Sequence, residues 1–198
     1  MRIGIAGYMG AGKSTCAHTF YSLNTTIIDA DTEAKLLMQS DSKLQTDLKE
    51  AFGESVAGGG KICFSALGRV AFSSVNTLLT LNKIVHPPLV KHLQPRVRNN
   101  ENANCILDAA LIPLLNIESW FDLCVWVDSP FEIRLERLKA KRAGMEEAEL
   151  CRRMRLQEEI MPVPQNNRWI RLPDSECGQY IKDRLEVITP DAKNRGNP

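Results

Sequence analysis

Five short runs of aliphatic and β-branched residues punctuate the chain, at 2–6, 25–29, 105–108, 123–128 and 169–172. Each stops at a glycine, an aspartate or a proline, and each predicts a strand. Between them apolar positions recur every three or four residues, which predicts helices over 14–23, 131–142, 146–159 and 176–187. From about 31 to 101 strand signal is almost absent. Leu36, Leu37, Leu44, Leu48 and Phe52 recur at helical spacing up to a Gly58-Gly59-Gly60 turn. Leu67, Val70 and Ala71 mark a further helix, and Leu78, Leu81, Ile84 and Val85 another that ends at the Pro87-Pro88 break. The tail after Pro190 is polar and is expected to be disordered.

Strands alternating with helices define an α/β protein with a parallel sheet covered on both faces. The 198 residues suit one domain with a sizeable core. The all-helical stretch after the second strand reads as an insertion, and the charged helices at 131–159 as a flap over the strand ends. The formal net charge of +1 provides no global field for nucleic acid or an anionic membrane. No apolar run approaches the roughly 20 residues of a membrane-spanning helix, and the N-terminal Met1-Arg2-Ile3-Gly4-Ile5 reads as a strand rather than a signal peptide. The six cysteines form no C-x-x-C pair, and several lie in apolar stretches. They are expected to be reduced, mostly buried thiols in a cytoplasmic protein. Three scattered histidines give no zinc-site spacing.

Gly7-Tyr8-Met9-Gly10-Ala11-Gly12-Lys13-Ser14 fits G-x-x-x-x-G-K-[ST] at every required position, with a predicted strand before it and a helix after it. Glycines let backbone N–H groups turn inward around phosphate oxygens without Cβ clashes. Lys13 brings a positive charge toward the β and γ phosphates, and the Ser14 hydroxyl is a Mg²⁺ ligand candidate. Residues Gly10, Ala11, Gly12, Lys13, Ser14 and Thr15 are therefore expected to bind ATP.

Ligands of open parallel sheets sit at the carboxyl ends of the strands, where Gly7, Asp29, Asp31 and Asp108 all fall. Asp29 and Asp31 are two residues apart, so in extended chain they share a face. Asp31 has two readings: the carboxylate that orients an acceptor hydroxyl and takes its proton, or a cap for a helix beginning at Thr32. Asp108 ends the Cys105-Ile106-Leu107 run, as a Walker-B acid holding Mg²⁺ does, or as a helix cap or solvated strand end. Arg134, Arg137, Lys141 and Arg142 share one helix face, with Arg152, Arg153 and Arg155 following. They form either a solvated charged surface or, above a phosphate loop, a lid that neutralises the transferring phosphoryl group.

Taken together, these segments resemble the dephospho-coenzyme A kinase family over roughly residues 1–188. The most specific pieces are residues 7–15 followed by Ile28-Asp29-Ala30-Asp31. Phe52-Gly53, Gly60-Lys61-Ile62, Ala66-Leu67-Gly68 and Ile84-Val85-His86-Pro87 match further family landmarks in order. Val125-Trp126-Val127-Asp128-Ser129-Pro130 resembles a family strand end, and residues 142–145 and 153–157 its lid. The chain departs from the family pattern at Lys35, at Ala109-Ala110-Leu111, where a proline is absent, and near Ile170-Arg171-Leu172, where the family often has an asparagine.

The resemblance implies a P-loop NTPase-type sheet of the nucleoside-monophosphate-kinase kind. Its core would be about 1–30, 102–137 and 159–190, its helical acceptor-binding insertion about 31–101 and its lid about 138–158, with a flexible tail at 190–198. It implies transfer of the ATP γ-phosphate to the ribose 3′-hydroxyl of dephospho-coenzyme A, the last step of coenzyme A biosynthesis. Lys13, Asp31 and Arg142 would be catalytic, Ser14 and Asp108 would hold Mg²⁺, and the partner would be a small molecule, not a nucleic acid or membrane. Two rivals remain: a kinase of another nucleotide or alcohol, and an ATP-binding regulatory module without turnover. The I-D-A-D and V-H-P segments argue against the first. The retained Lys13, Ser14 and Asp31 argue against the second.

Overall fold

The computed structural model describes residues 1–20, 24–99 and 104–188. Its centre is a five-stranded, all-parallel sheet made of β1 (Arg2–Ala6), β2 (Thr25–Asp29), β5 (Asn104–Asp108), β6 (Leu123–Asp128) and β7 (Trp169–Pro173), in the order β2-β5-β1-β6-β7. The three inner strands are buried along nearly their whole length. This is why they read as continuous apolar runs rather than as alternating ones. The chain leaves β1 toward β2 on one side and returns across it to β6 on the other, so the loop after β1 lies at the point where strand order reverses. That is the crevice in which such sheets bind ligands. The register sets Asp29 beside Asp108 at the same carboxyl edge.

One face of the sheet is covered by α1 (Lys13–His18) and α9 (Asp174–Ile188), which bury Ala17 and Ile181 against Ile3, Ile5 and Val125. The other face is covered by α5 (Val75–Arg98), through Leu89, Leu93 and Val97 packed with Leu107 and Trp126. The short α6 (Ile112–Leu115) adds Ile112 and Leu115 to that core. Between β2 and β5, where an insertion was expected, α2 (Ala30–Ser40), α3 (Ser42–Phe52), α4 (Phe64–Ala71) and the first half of α5 bury Met38, Leu44, Leu48, Leu67 and Val85 in a core of their own. Two further helices, α7 (Phe131–Lys141) and α8 (Glu147–Ile160), pack Leu138, Leu150 and Met154 together with Met9 of the loop after β1.

The predicted sheet and helix order are observed, with four differences. A two-residue hairpin, β3 (Ala57–Gly58) with β4 (Lys61–Ile62), sits in the otherwise helical insertion, turning at Gly59 and Gly60, both at positive φ. The helix expected over 14–23 closes by Thr19 and Phe20 in three-residue hydrogen bonds, and residues 21–23 lie outside the described residues. The tail after Pro190 also lies outside them.

The third difference is α5, which runs through Pro87, Pro88 and Pro95. Each proline removes one backbone donor and costs roughly 3 kcal/mol or more in a helix interior. Five apolar side chains of the helix are buried (Leu78, Val85, Leu89, Leu93, Val97), the last four of them in the two cores. At about 1.5–3 kcal/mol each, their burial is of the size needed to offset the prolines. Ser74 and Thr77 start the helix with a reciprocal capping box. Fourth, Cys16 and Cys177, both buried, are joined by a disulfide where reduced thiols were expected. Packing of α1 beside α9 brings their Cα atoms to 6.1 Å, within disulfide reach. A separation of 161 residues gives no sequence signal of that neighbourhood.

Candidate active site

The loop from Gly7 to Ser14 wraps the carboxyl end of β1. A Cβ on Gly7 would lie 2.5 Å from the Val127 carbonyl oxygen. Gly10 has φ +79°, and a Cβ there would lie 2.7 Å from the Arg134 carbonyl oxygen. Neither position admits a side chain, so the backbone path itself demands Gly7, the first fixed glycine of the motif, and Gly10, at one of its variable positions; Gly12, the second fixed glycine, has φ +97°. Helix α1 begins after Gly12 without a side-chain cap, which leaves its first N–H groups available to an anion.

Lys13 and Ser14 open that helix. The Ser14 hydroxyl donates to Asp108 Oδ2 at 2.6 Å. Lys13 Nζ donates to the Tyr8 carbonyl at 3.2 Å. Burial lowers the Lys13 pKa, opposed by the negative charges of Asp108, Asp31 and Asp29. Burial also raises the pKa of Asp108, opposed by Lys13 and by the Ser14 hydroxyl. A lysine, a hydroxyl and a carboxylate thus share one partly buried corner, although Ser14 and Asp108 are 94 residues apart in sequence.

The two carboxylates after β2 have separate positions. The Asp29 side chain accepts from the backbone N–H groups of Asp31 and Thr32, at 2.9 and 3.1 Å, and caps α2. Helix α2 starts at Ala30, so the extended-chain geometry that would put Asp29 and Asp31 on one face does not occur. The cap is Asp29, and the capping alternative for Asp31 is removed. Asp31 lies in the first turn of α2 with its residue exposed, on the wall of a cavity of about 250 Å³.

That cavity brings together Lys13, Asp31 and Arg142, the three expected catalytic residues. Lys13 comes from the phosphate loop, Asp31 from α2, and Arg142 from the end of α7. Its opposite wall is the insertion's α5, with Leu81, Asn82, Val85 and His86, and the segment after β5, with Ala109 and Leu111. Asn82 Nδ2 and His86 Nε2 are buried and make no hydrogen bond. Burial depresses the His86 pKa to about 4, so the ring is neutral near pH 7. Asn82 carries no motif signal. Its only sequence clue is that it lies one helical turn before His86.

The basic helix face divides into different roles. Arg134 is buried, donates to the Ser129 carbonyl at 3.1 Å, pairs with Glu158 and lies over the Tyr8 ring. It packs α7 against α8 and the phosphate loop. Arg137 donates to the Gly10 carbonyl at 3.3 Å and pairs with Asp174 at 2.6 Å, placing its charge against the phosphate loop. Asp174 went unnoticed in the sequence. Gln157 of α8 accepts from the Met9 N–H at 2.8 Å and ties α8 to the loop. Arg152 and Arg153 pair with Glu149 on their own helix.

A parallel sheet with a phosphate loop at its switch point, an acid at the neighbouring strand end and a helical insertion facing both defines a small-molecule P-loop kinase. The family model of dephospho-CoA kinase matches residues 1–166. The chain belongs to the dephospho-CoA kinase family, whose members are ATP-dependent kinases. A curated dephospho-CoA kinase of Corynebacterium efficiens is 34% identical over 158 residues, 78% of each chain. The solved structure of TT1252 from Thermus thermophilus superposes with a TM-score of 0.68 at 27% identity, covering 96% of this chain and 98% of that one. Dephospho-CoA kinase from Campylobacter jejuni shares the fold, with a TM-score of 0.59 at 17% identity, over 95% of this chain and 98% of that one.

Proposed function

We propose that this chain transfers the ATP γ-phosphate to the ribose 3′-hydroxyl of dephospho-coenzyme A, giving coenzyme A and ADP. The observation that carries the reading is one cavity lined by Lys13 of the phosphate loop, Arg142 at the end of α7, and Asp31 and the α5 residues of the helical insertion. ATP phosphates lie in the Gly10–Thr15 cradle. The acceptor enters the cavity between the insertion, 31–101, and the core.

The acceptor 3′-oxygen attacks the γ-phosphorus, the bond to the bridging oxygen of ADP breaks, and Asp31 takes the hydroxyl proton. A carboxylate is a weak base, but in a loose phosphoryl-transfer transition state little proton transfer is needed early. Much of what Asp31 contributes is then orientation. Lys13 and Arg142 supply positive charge where negative charge develops, in a site that the lid at 138–158 shields from water.

The oxygen donors Ser14 and Asp108 fit Mg²⁺, which prefers hard ligands, takes one or two from protein and leaves the rest to phosphate and water. Burial raises the Asp108 pKa, and a bound cation would favour its carboxylate form. When bound, Mg²⁺ screens the phosphate charge. No helix of the described residues is long and apolar enough to cross a membrane.

ADP release measured with dephospho-coenzyme A, beside a panel of nucleosides, nucleotides and sugar alcohols, tests the reading. Turnover concentrated on dephospho-coenzyme A is the expected result. Preference for another acceptor would replace the substrate, and no turnover on any would leave only nucleotide binding.

A further inference from the structure

The cavity is chemically divided. Its charged lining residues are Lys13, Asp31 and Arg142. The wall formed by α5 and the segment after β5 is apolar, interrupted by Asn82 and His86. Those two lie one turn apart on α5, and each has a buried nitrogen without a hydrogen-bond partner. A buried polar group left unpaired costs stability, so such groups are paired in nearly all native structures. Two of them on one wall of a ligand cavity point to partners that arrive with the ligand.

The kind of ligand group follows from charge. Asn82 and neutral His86 attract neither phosphate nor ammonium, and each offers both a donor and an acceptor. An apolar slot with such groups suits a flat heteroaromatic ring. The acceptor's diphosphate has a different place. A second groove shares Arg142 with the cavity and runs between α4 and α8 with Arg69, Arg152 and Arg153. Its four arginines outnumber the two glutamates, Glu146 and Glu149, on the same walls. An asparagine amide pairs in bidentate fashion with the amino group and N7 of adenine, which a deaminated purine cannot match.

We propose that Asn82 and His86 read the purine edge of the acceptor, holding its base in the apolar end of the cavity while its diphosphate runs into the groove at Arg69. The assignment rests on the kinase reading above and adds a specificity determinant to it.

The test compares dephospho-coenzyme A with its hypoxanthine counterpart in wild type, Asn82→Leu, the isosteric Asn82→Asp, His86→Phe and His86→Gln. The wild type is expected to favour the adenine acceptor by roughly 10- to 100-fold in kcat/KM, the range of one good bidentate pair. Asn82→Leu and Asn82→Asp should bring that ratio toward one, chiefly through KM, and His86→Gln should retain more of it than His86→Phe. Equilibrium binding of AMP and IMP to the same proteins gives the ratio without turnover. A wild type that does not discriminate overturns the proposal. So do variants that lose activity on both acceptors by the same factor, because a purely structural role predicts an unchanged ratio. If wild type transfers phosphate to neither acceptor, the kinase reading fails by itself, and the AMP and IMP ratio still decides this one.

Discussion

Ser14 Oγ donates a 2.6 Å hydrogen bond to Asp108 Oδ2, joining the last residue of the phosphate loop to the last residue of the neighbouring strand. The bond depends on β1 and β5 being adjacent and in register, with Ile5 beside Asp108. A serine hydroxyl and a buried carboxylate held together in this way present hard oxygen donors of the kind that the proposed Mg²⁺ would take.

Replacing Asp108 with Asn keeps the hydrogen bond to Ser14 and removes the charge. The Mg²⁺ concentration for half-maximal ATP turnover should rise by about 10- to 100-fold, the usual cost of losing one group of a metal site. The thermal midpoint should stay close to wild type, because burial already disfavours the Asp108 charge. A Mg²⁺ titration identical to wild type would remove Asp108 from the metal site.

Asp29 and Asp31 should separate cleanly under substitution. Asp29→Ala deletes the α2 cap and should cost about 1 kcal/mol of stability. Asp31→Asn leaves the cap in place. It should keep ATP affinity within a few-fold while lowering turnover by roughly 10²-fold or more, the size of a general-base contribution. Wild-type turnover in Asp31→Asn, measured beside denaturant unfolding of both variants, would exclude Asp31 as the base.

The sheet was readable because its inner strands are buried on both faces and end at acids or glycine, and the phosphate loop because its chemistry admits few spacings. The carboxylates after β2 were located but not assigned, since which of Asp29 and Asp31 caps α2 depends on the helix starting at Ala30 rather than Thr32. Pro87 and Pro88 do not end the helix because local propensity is outweighed by two cores that bury successive halves of α5. The Cys16–Cys177 bond, the Arg137–Asp174 pair and the unpaired Asn82 nitrogen are tertiary facts. No periodicity or local spacing encodes which residue of α9 will face the phosphate loop.

His86 makes stability depend on pH. Its folded pKa of about 4 lies below its ordinary value of 6.5 because burial disfavours the charged ring. Between those values the unfolded chain binds the proton more readily, so this contribution is full above about pH 6.5 and is lost as pH falls toward 4. His86→Gln should therefore lose less stability than wild type between pH 7 and pH 4.5. Parallel declines in urea midpoints would show that His86 does not titrate in this way.

Thiol counting tests the pairing of α1 with α9. Denatured protein prepared without reductant should show four free thiols, those of Cys63, Cys105, Cys124 and Cys151, and reduction should expose Cys16 and Cys177 as well. A loop of this length is worth up to about 5 kcal/mol in the chain-entropy model, so reduction or Cys177→Ser should lower the unfolding midpoint measurably. Six free thiols without reductant would contradict the bond.

Phosphorus NMR of the product formed from ATP and dephospho-coenzyme A tests the transfer most directly. The account predicts ADP and one new phosphomonoester resonance in equal amounts, with the phosphorus coupled to the ribose H3′ proton. A phosphomonoester coupled to H2′, or inorganic phosphate in place of any new ester, would contradict it.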